Sequence, residues 1–246
     1  MFVDNFCRYE FKFPVTYDTM NEMLKDFEPY VIMDSYGENG WYTISSIYFD
    51  NNMKQCYYET MNGDLFRQKV RLRVYGEIND SSAISFFELK MKIKGMVIKR
   101  RVSMKLCDAL EFTKKCQENI DFNVEDYPST NPQILSELKH VIQTKHLAPA
   151  NVVSYDRCAM IVKDDPDVRI TFDTKIRTRA TDIDLRSGSY GQNVIDENKV
   201  VLELKSSKNL PVWLIKIIEK YNYRNLMFSK YCEHYNYKRR DAENAG

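Results

Sequence analysis

The chain has 246 residues, 36 Lys and Arg against 35 Asp and Glu, and a formal net charge of +1. So even a balance excludes a global electrostatic pull toward nucleic acid or anionic membrane, and any basic site must arise by local segregation of charge. A hydrophobic content of 43% supports a sizeable core, 13% aromatic residues argue against disorder, and no apolar run approaches the roughly 20 residues of a membrane span.

A first strand is predicted over 6–13 and a helix from Thr16 to Tyr30, with Met20, Met23, Leu24 and Phe27 on one stripe. Strands follow near 41–49, 66–75, 84–93 and 96–105, the last two joined by a tight turn at Lys94-Gly95. Asp108 and Glu111 suggest a capping box for a short helix that packs Leu110 and Phe112. A longer helix is predicted from Asn131-Pro132, carrying Ile134, Leu135, Leu138, Val141 and Ile142 at helical spacing. Strands near 150–162, 168–177 and 199–206 enclose a polar stretch at 182–198 that reads as a mobile loop. A last helix begins near Pro211 and packs Trp213, Leu214, Ile217, Ile218 and Tyr221, and residues 236–246 read as a tail. No βαβ repeat and no linker is visible, so the prediction is a single α+β domain over 1–246, with a core at about 6–235 and an antiparallel sheet.

Inside these strands charged residues recur at every second position. In Lys-Val-Arg-Leu-Arg at 69–73, Lys69, Arg71 and Arg73 share one face and Val70 and Leu72 the other. The pattern repeats at 8–13, 87–92, 169–173 and 201–205. If the strands close into a barrel, the apolar faces need the helices and the charged faces line the interior. That interior must be wet, because an unpaired charge in a dry core costs several kcal/mol. Bases at about 7 Å spacing along a strand suit a polyanion. Lys12, Lys90, Lys99, Arg101, Arg157, Arg169 and Lys205 occupy comparable positions, and Glu10, Glu88, Asp173 and Glu203 share those faces. The acids are either metal carboxylates or partners that neutralise the bases, with Glu203 the preferred ligand.

Other chemistries find little support. A P-loop is excluded, and there is no Gly-x-Gly-x-x-Gly. His140, His146 and His234 fall on or near helices rather than on the charged strands. Cys7, Cys56, Cys107, Cys116, Cys158 and Cys232 form no Cys-x-x-Cys pair and read as reduced, mostly buried thiols. Phosphoryl transfer needs no protein nucleophile, being mostly positioning and charge neutralisation.

The motifs Arg-Tyr-Glu-Phe-Lys at 8–12, Ser-Ser-Ile-Tyr-Phe-Asp at 45–50, Arg-Gln-Lys-Val-Arg-Leu-Arg-Val-Tyr at 67–75 and Phe-Glu-Leu-Lys at 87–90 carry a resemblance. So do Lys-Arg-Arg at 99–101, Tyr-Asp-Arg at 155–157, Arg-Ile-Thr-Phe-Asp-Thr at 169–174, Val-Leu-Glu-Leu-Lys at 201–205 and Phe-Ser-Lys-Tyr at 228–231. In this order they resemble the VTC-type polyphosphate polymerase domain of the triphosphate tunnel metalloenzyme group, in its free-standing prokaryotic form. The resemblance implies an eight-stranded antiparallel tunnel barrel flanked by helices, with a charged interior. It implies ATP-dependent extension of a polyphosphate chain with Mn2+ or Mg2+. Lys12, Arg71, Arg73, Lys90, Arg101, Arg157, Arg169, Lys205 and Lys230 would be the catalytic phosphate binders, and Lys69, Lys99, Tyr155 and Ser229 further substrate contacts. Glu203, with Glu10 and Glu88, would be the metal carboxylates. Arg8 stands where the wider group has Glu, which turns the reading away from simple hydrolysis or cyclisation. A metal-dependent triphosphatase and a non-catalytic polyphosphate-binding module remain the alternatives. The implied setting is cytoplasmic, at most at the inner face of a membrane beside a membrane-protein partner, with no role in nucleic-acid binding.

Overall fold

The computed structural model describes residues 5–94 and 96–244, and side chains within 9–94, 96–241 and at 243. Gly95 of the predicted turn and the side chains of Cys7 and Arg8 lie outside the described residues. In chain order the elements are β1 (Asn5–Thr16), α1 (Tyr17–Phe27), β2 (Val31–Met33), β3 (Trp41–Asp50), α2 (Gln55–Met61), β4 (Phe66–Tyr75), β5 (Ile84–Ile93) and β6 (Met96–Lys105). Then come α3 (Leu106–Gln117), α4 (Pro132–Thr144), β7 (Ala148–Val162), β8 (Asp165–Arg179), β9 (Gln192–Asn193), β10 (Lys199–Ser206), α5 (Val212–Lys220) and α6 (Lys230–Asn244). Helices and antiparallel strands make this an α+β chain, as predicted. Its described residues divide into two compact units, one within 5–7, 44–154 and 178–192 and the other within 8–43, 155–177 and 193–244.

In the first unit β3, β4, β5 and β6 form an antiparallel meander. Its register brings Tyr48, Arg71, Glu88 and Arg101 into one cross-strand row and Lys69, Lys90 and Lys99 into the next. Directly opposed residues share a face, so the alternate residues Ile47, Val70, Leu72, Phe87, Leu89 and Val102 point the other way, and all are buried. Phe112 of α3 packs edge-on against Phe87, and Ile134, Leu135 and Leu138 of α4 are fully buried. Asn131 caps α4, accepting the Ile134 N–H, with Pro132 in its first turn.

Two predicted features differ. α3 starts at Leu106, ahead of the predicted Asp108–Glu111 capping box, and has no side-chain cap. Its first N–H groups donate instead to the carbonyls of Ala83 and Ser81, while Glu111 pairs with Lys115. The 182–198 loop begins on an anchor: the Arg179 guanidinium donates to the carbonyls of Asp182, Asp184, Gly188 and Tyr190 at 2.6–2.9 Å.

In the second unit β10 lies between β1 and β8, antiparallel to both. The register rows are Lys12–Glu203–Thr171 and Glu10–Lys205–Arg169. The reverse face carries Phe13, Val15, Ile170, Phe172, Val200, Leu202 and Leu204, which pack with Met20, Met23 and Phe27 of α1 and Leu214 and Ile218 of α5. Thr16 caps α1 through the Thr19 N–H. The chain does not end its helices at Tyr221: α6 runs to Asn244, through most of the stretch read as a tail. Among the described residues no helix is long and apolar enough to cross a membrane.

Candidate functional site

In each unit several charged strand residues meet around a buried carboxylate. In the first unit Glu88 is the centre. It is fully buried, and its two oxygens take Arg71, Lys99 and Arg101, with Lys99 Nζ at 2.6 Å and the Arg101 Nε at 2.6 Å. Burial alone would raise the Glu88 pKa, but Arg71, Lys99 and Arg101 overcome it and hold the carboxyl well below its ordinary range. Burial, with the neighbouring guanidinium groups, drives Lys99 well below the ordinary lysine value despite its pair with Glu88.

Aromatic and hydroxyl side chains orient these bases. Arg71 reaches the Tyr48 hydroxyl at 3.2 Å, Arg73 the Ser46 hydroxyl at 3.0 Å and Arg101 the Tyr75 hydroxyl at 2.7 Å. The Arg101 guanidinium also lies 4.6 Å from the Phe86 ring centre. Burial would raise the Tyr75 pKa, yet Arg73 and Arg101 bring it below its usual value. Lys69, Lys90 and Lys99 stand directly across from one another, and Glu88 offsets part of the repulsion in this row through Lys99.

The second cluster is built on Asp173 and Glu203. Arg157 grips Asp173 through two hydrogen bonds of 2.7 and 2.8 Å, and Lys230 at the start of α6 reaches the same carboxylate. Burial would raise the Asp173 pKa, but Arg157 and Lys230 bring it down to about 2. Tyr155 lies beneath both cations, its ring centre 5.3 Å from Arg157 and 4.7 Å from Lys230. Glu203 is held more loosely: Arg157 and Lys205 stand 3.3 Å away and Lys12 3.8 Å. Burial opposes its ionisation, and Lys205, Lys12, Lys230 and Arg157 nevertheless keep it well below the usual carboxylate value. Burial lowers Lys205 to about 8, with Glu203 acting against the shift.

Lys12 is the best-placed base of β1. Its Nζ donates to the Phe228 carbonyl at 3.0 Å, its backbone N–H to the Asn225 side chain, and its carbonyl accepts the Leu226 N–H. The segment leading to Ser229 and Lys230 is thereby pinned along β1. Arg169 shares the row of Lys205 and Glu10 but turns to Asp34 at 2.8 Å and stays half exposed.

The predicted site residues therefore fall into two groups. Arg71, Arg73, Lys99, Arg101 and Glu88, with the lysine row, belong to the first unit. Lys12, Tyr155, Arg157, Lys205, Lys230, Glu203 and Glu10 belong to the second, Ser229 preceding Lys230 in the chain. Sequence reasoning missed Ser46, Tyr48, Tyr75 and Phe86, although the same period-2 parity that selected Arg71 places them on its face. Of the two roles open to Asp173, metal carboxylate or neutralising partner, its pairs with Arg157 and Lys230 match the second.

Among the described residues no group of three or more His, Cys, Asp and Glu stands together as a metal site. Hard divalent ions also bind through one or two carboxylates together with substrate phosphates. Glu203 fits that mode, because among the described residues its ion pairs stand at 3.3–3.8 Å and Glu10 lies one row away. Both Glu88 oxygens are already committed at short range to three cations. Three of the described thiols are held in the neutral form, burial raising Cys56, Cys116 and Cys158 to about 12.

Solved structures share this fold. A candidate adenylate cyclase from Bacillus halodurans matches with a TM-score of 0.55 and 13% identity, over 92% of this chain and 96% of that one. A candidate adenylyl cyclase from Hippeastrum, described as having a dominant triphosphatase activity, matches with a TM-score of 0.50 and 10% identity, over 92% of each chain. No curated protein matches the chain at a significant level. What the chain shares with these two structures is the fold. More narrowly, the VTC domain family model matches residues 7–238, and the chain belongs to that family.

Proposed function

We propose that this protein is a metal-dependent phosphotransferase that extends polyphosphate at the expense of a nucleoside triphosphate such as ATP. The observation that carries this reading is the excess of fixed cations on the strand faces. In the first unit Arg71, Arg73, Lys99 and Arg101 lie around Glu88, with Lys69 and Lys90 opposite Lys99 in the cross-strand row. Arg forks bind phosphate oxygens in pairs and Lys acts as a point charge, so both strand faces suit a chain of phosphates.

In the reaction, a terminal phosphate oxygen of the acceptor chain forms a bond to the γ-phosphorus. The bond from that phosphorus to the bridging oxygen breaks, and its electron pair leaves on the β-phosphate of ADP. The acceptor is already ionised, which accords with a site whose described residues include no histidine among the clustered bases. Lys12, Arg157, Lys205 and Lys230 hold and neutralise phosphate oxygens in the second unit, and Arg71, Arg73 and Arg101 do so in the first. Lys69, Lys90 and Lys99 add charge, Tyr155 and Ser229 line the Arg157–Lys230 region, and Arg169 contributes after release from Asp34. Glu203, assisted by Glu10, would hold Mn2+ or Mg2+, which supplies further neutralisation of the phosphates when bound. Glu88 orients Arg71 and Arg101.

Incubating the purified protein with ATP and Mn2+ and resolving the products on a gel tests the proposal. Long, acid-labile polymer is the expected product. Orthophosphate alone would assign a triphosphatase, and tight polyphosphate binding without turnover under either metal would assign a binding module.

A further inference from the structure

The charged face of β4, β5 and β6 does not end at Glu88. Glu88 is the one acidic residue in these three strands, and the rows between it and the β5–β6 turn are basic. Lys69, Lys90 and Lys99 form the first of these rows, and Arg67 and Lys92 the second, with Val97 in its third place. Directly opposed residues share a face, as do residues two apart on one strand. Arg67 and Lys92 therefore stand on the side of Arg71 and Glu88, while Phe66, Ile93 and Met96 point the other way. In the opposite direction the face changes character, Arg73 lying across from Phe86 and Phe86 across from Ser103. The Arg73 row thus has one base, the Arg71 row two against Glu88, and the next two rows three and two with no acid.

Arg67 is held in place but not neutralised. Its guanidinium donates to the Thr60 carbonyl, in the last turn of α2, at 3.2 Å, and among the described residues it makes no ion pair. One of five N–H donors is used, and the side chain is half-buried. A cation kept partly out of water with no carboxylate beside it is stabilised by an arriving anion. Four residues separate Arg67 from Arg71, about 14 Å of strand. A triphosphate seated at Arg71 and Arg101 does not cover that span, whereas a longer chain of phosphates does.

We infer, taking polyphosphate as the ligand proposed for this face, that Arg67 and Lys92 form a distal phosphate subsite and that the polymer leaves the Glu88 cluster over Lys69, Lys90 and Lys99 toward the β5–β6 turn. Arg67 presents a fork to phosphate oxygens and Lys92 a point charge. The acid-free rows draw an anionic tail away from the Glu88 cluster. A short chain that stops at that cluster does not touch the subsite, so chain length decides whether Arg67 and Lys92 contribute.

Calorimetric titration in the absence of ATP, with tripolyphosphate and long-chain polyphosphate as separate ligands, tests this. Arg67→Ala with Lys92→Ala should weaken long-chain binding at least tenfold and leave tripolyphosphate affinity within twofold of the parent. Lys105→Ala with Lys114→Ala, which removes two exposed charges elsewhere, should change neither. Where circular dichroism shows that loss of the Thr60 contact loosens α2, Lys92→Glu alone carries the test, and the same split between the two ligands is expected. Equal losses for both ligands overturn the inference, since Arg67 and Lys92 would then act only by supporting the Glu88 cluster. Unchanged long-chain affinity overturns it too, as does an equal loss in the Lys105 and Lys114 variant. A parent that binds neither ligand removes the polyphosphate reading of the site and the distal subsite with it. A parent that binds both, with no split in the variants, removes the distal subsite alone.

Discussion

Arg157 and Asp173 meet through two parallel hydrogen bonds of 2.7 and 2.8 Å, across the β7–β8 hairpin and with almost no exposure of either side chain. The pair fixes the guanidinium plane, and its remaining N–H edge turns to Glu203 at 3.3 Å. Asp173 is therefore a positioning residue, although it contributes no cation to a phosphate.

Asp173→Ala leaves Arg157 and Lys230 buried without their carboxylate. Removing one partner of a buried pair costs about 3–5 kcal/mol. Urea unfolding should show a loss of that order, and tripolyphosphate should restore more stability to the variant than to the parent. A loss below about 1 kcal/mol would show that water already screens the pair.

Glu203→Gln tests the proposed role of Glu203 as the metal carboxylate. Removing one negative charge from among Lys12, Lys205, Lys230 and Arg157 should leave polyphosphate affinity unchanged or tighter. Turnover with ATP and Mn2+ should fall by at least a hundredfold. Calorimetric titration of polyphosphate beside the gel assay checks both, and turnover within tenfold of the parent removes Glu203 from the mechanism.

The strands of the candidate site were legible because their charges alternate with period 2. The predictions for 66–75, 84–93 and 96–105 coincide with β4, β5 and β6. The helices covering them were legible where an apolar stripe faces the sheet, as in α1, α4 and α5. α6 was missed because Lys230–Asn244 is rich in Tyr, Lys, Arg and Glu and shows no continuous apolar stripe. α2 escaped notice for another reason. Its N-cap residue, Lys54, makes no capping hydrogen bond, and its first N–H groups are taken from further back in the chain, Gln55 by Asn51 and Cys56 and Tyr57 by the Asp50 carboxylate. Ion-pair partners were not legible either. Arg157 meets Asp173 within one hairpin, but Lys230 reaches the same carboxylate only through the fold-back of α6 onto β8, a contact far apart in sequence.

Lys205 supplies a pH dependence with a definite sign. Its folded pKa of about 8 lies below the unfolded lysine value of about 10.4. Between these values the unfolded chain binds more protons, so this group makes stability rise with pH over that window, and its penalty is fully present below pH about 8. Anion binding follows the opposite trend, because the charged amine is lost on the same rise. Polyphosphate affinity should weaken as pH passes upward through about 8, and Lys205→Arg should flatten that step. A titration by calorimetry between pH 6.5 and 9.5, in steps of about 0.5, resolves it, and an identical step in Lys205→Arg would assign the titration to another group.

Glu88→Gln tests whether the first cluster is held in readiness for an anion. The carboxylate is the common partner of Arg71, Lys99 and Arg101, and its charge offsets part of their mutual repulsion. Glutamine keeps the volume and removes the charge, so the folded state should lose about 3–5 kcal/mol, the cost of leaving buried charge unpaired. A phosphate chain bound to the cluster replaces the missing negative charge. Thermal shift with saturating tripolyphosphate should therefore raise the melting temperature of Glu88→Gln by more than that of the parent, with added salt reducing the difference. Equal shifts in the two proteins would mean that the anion binds away from Arg71 and Arg101.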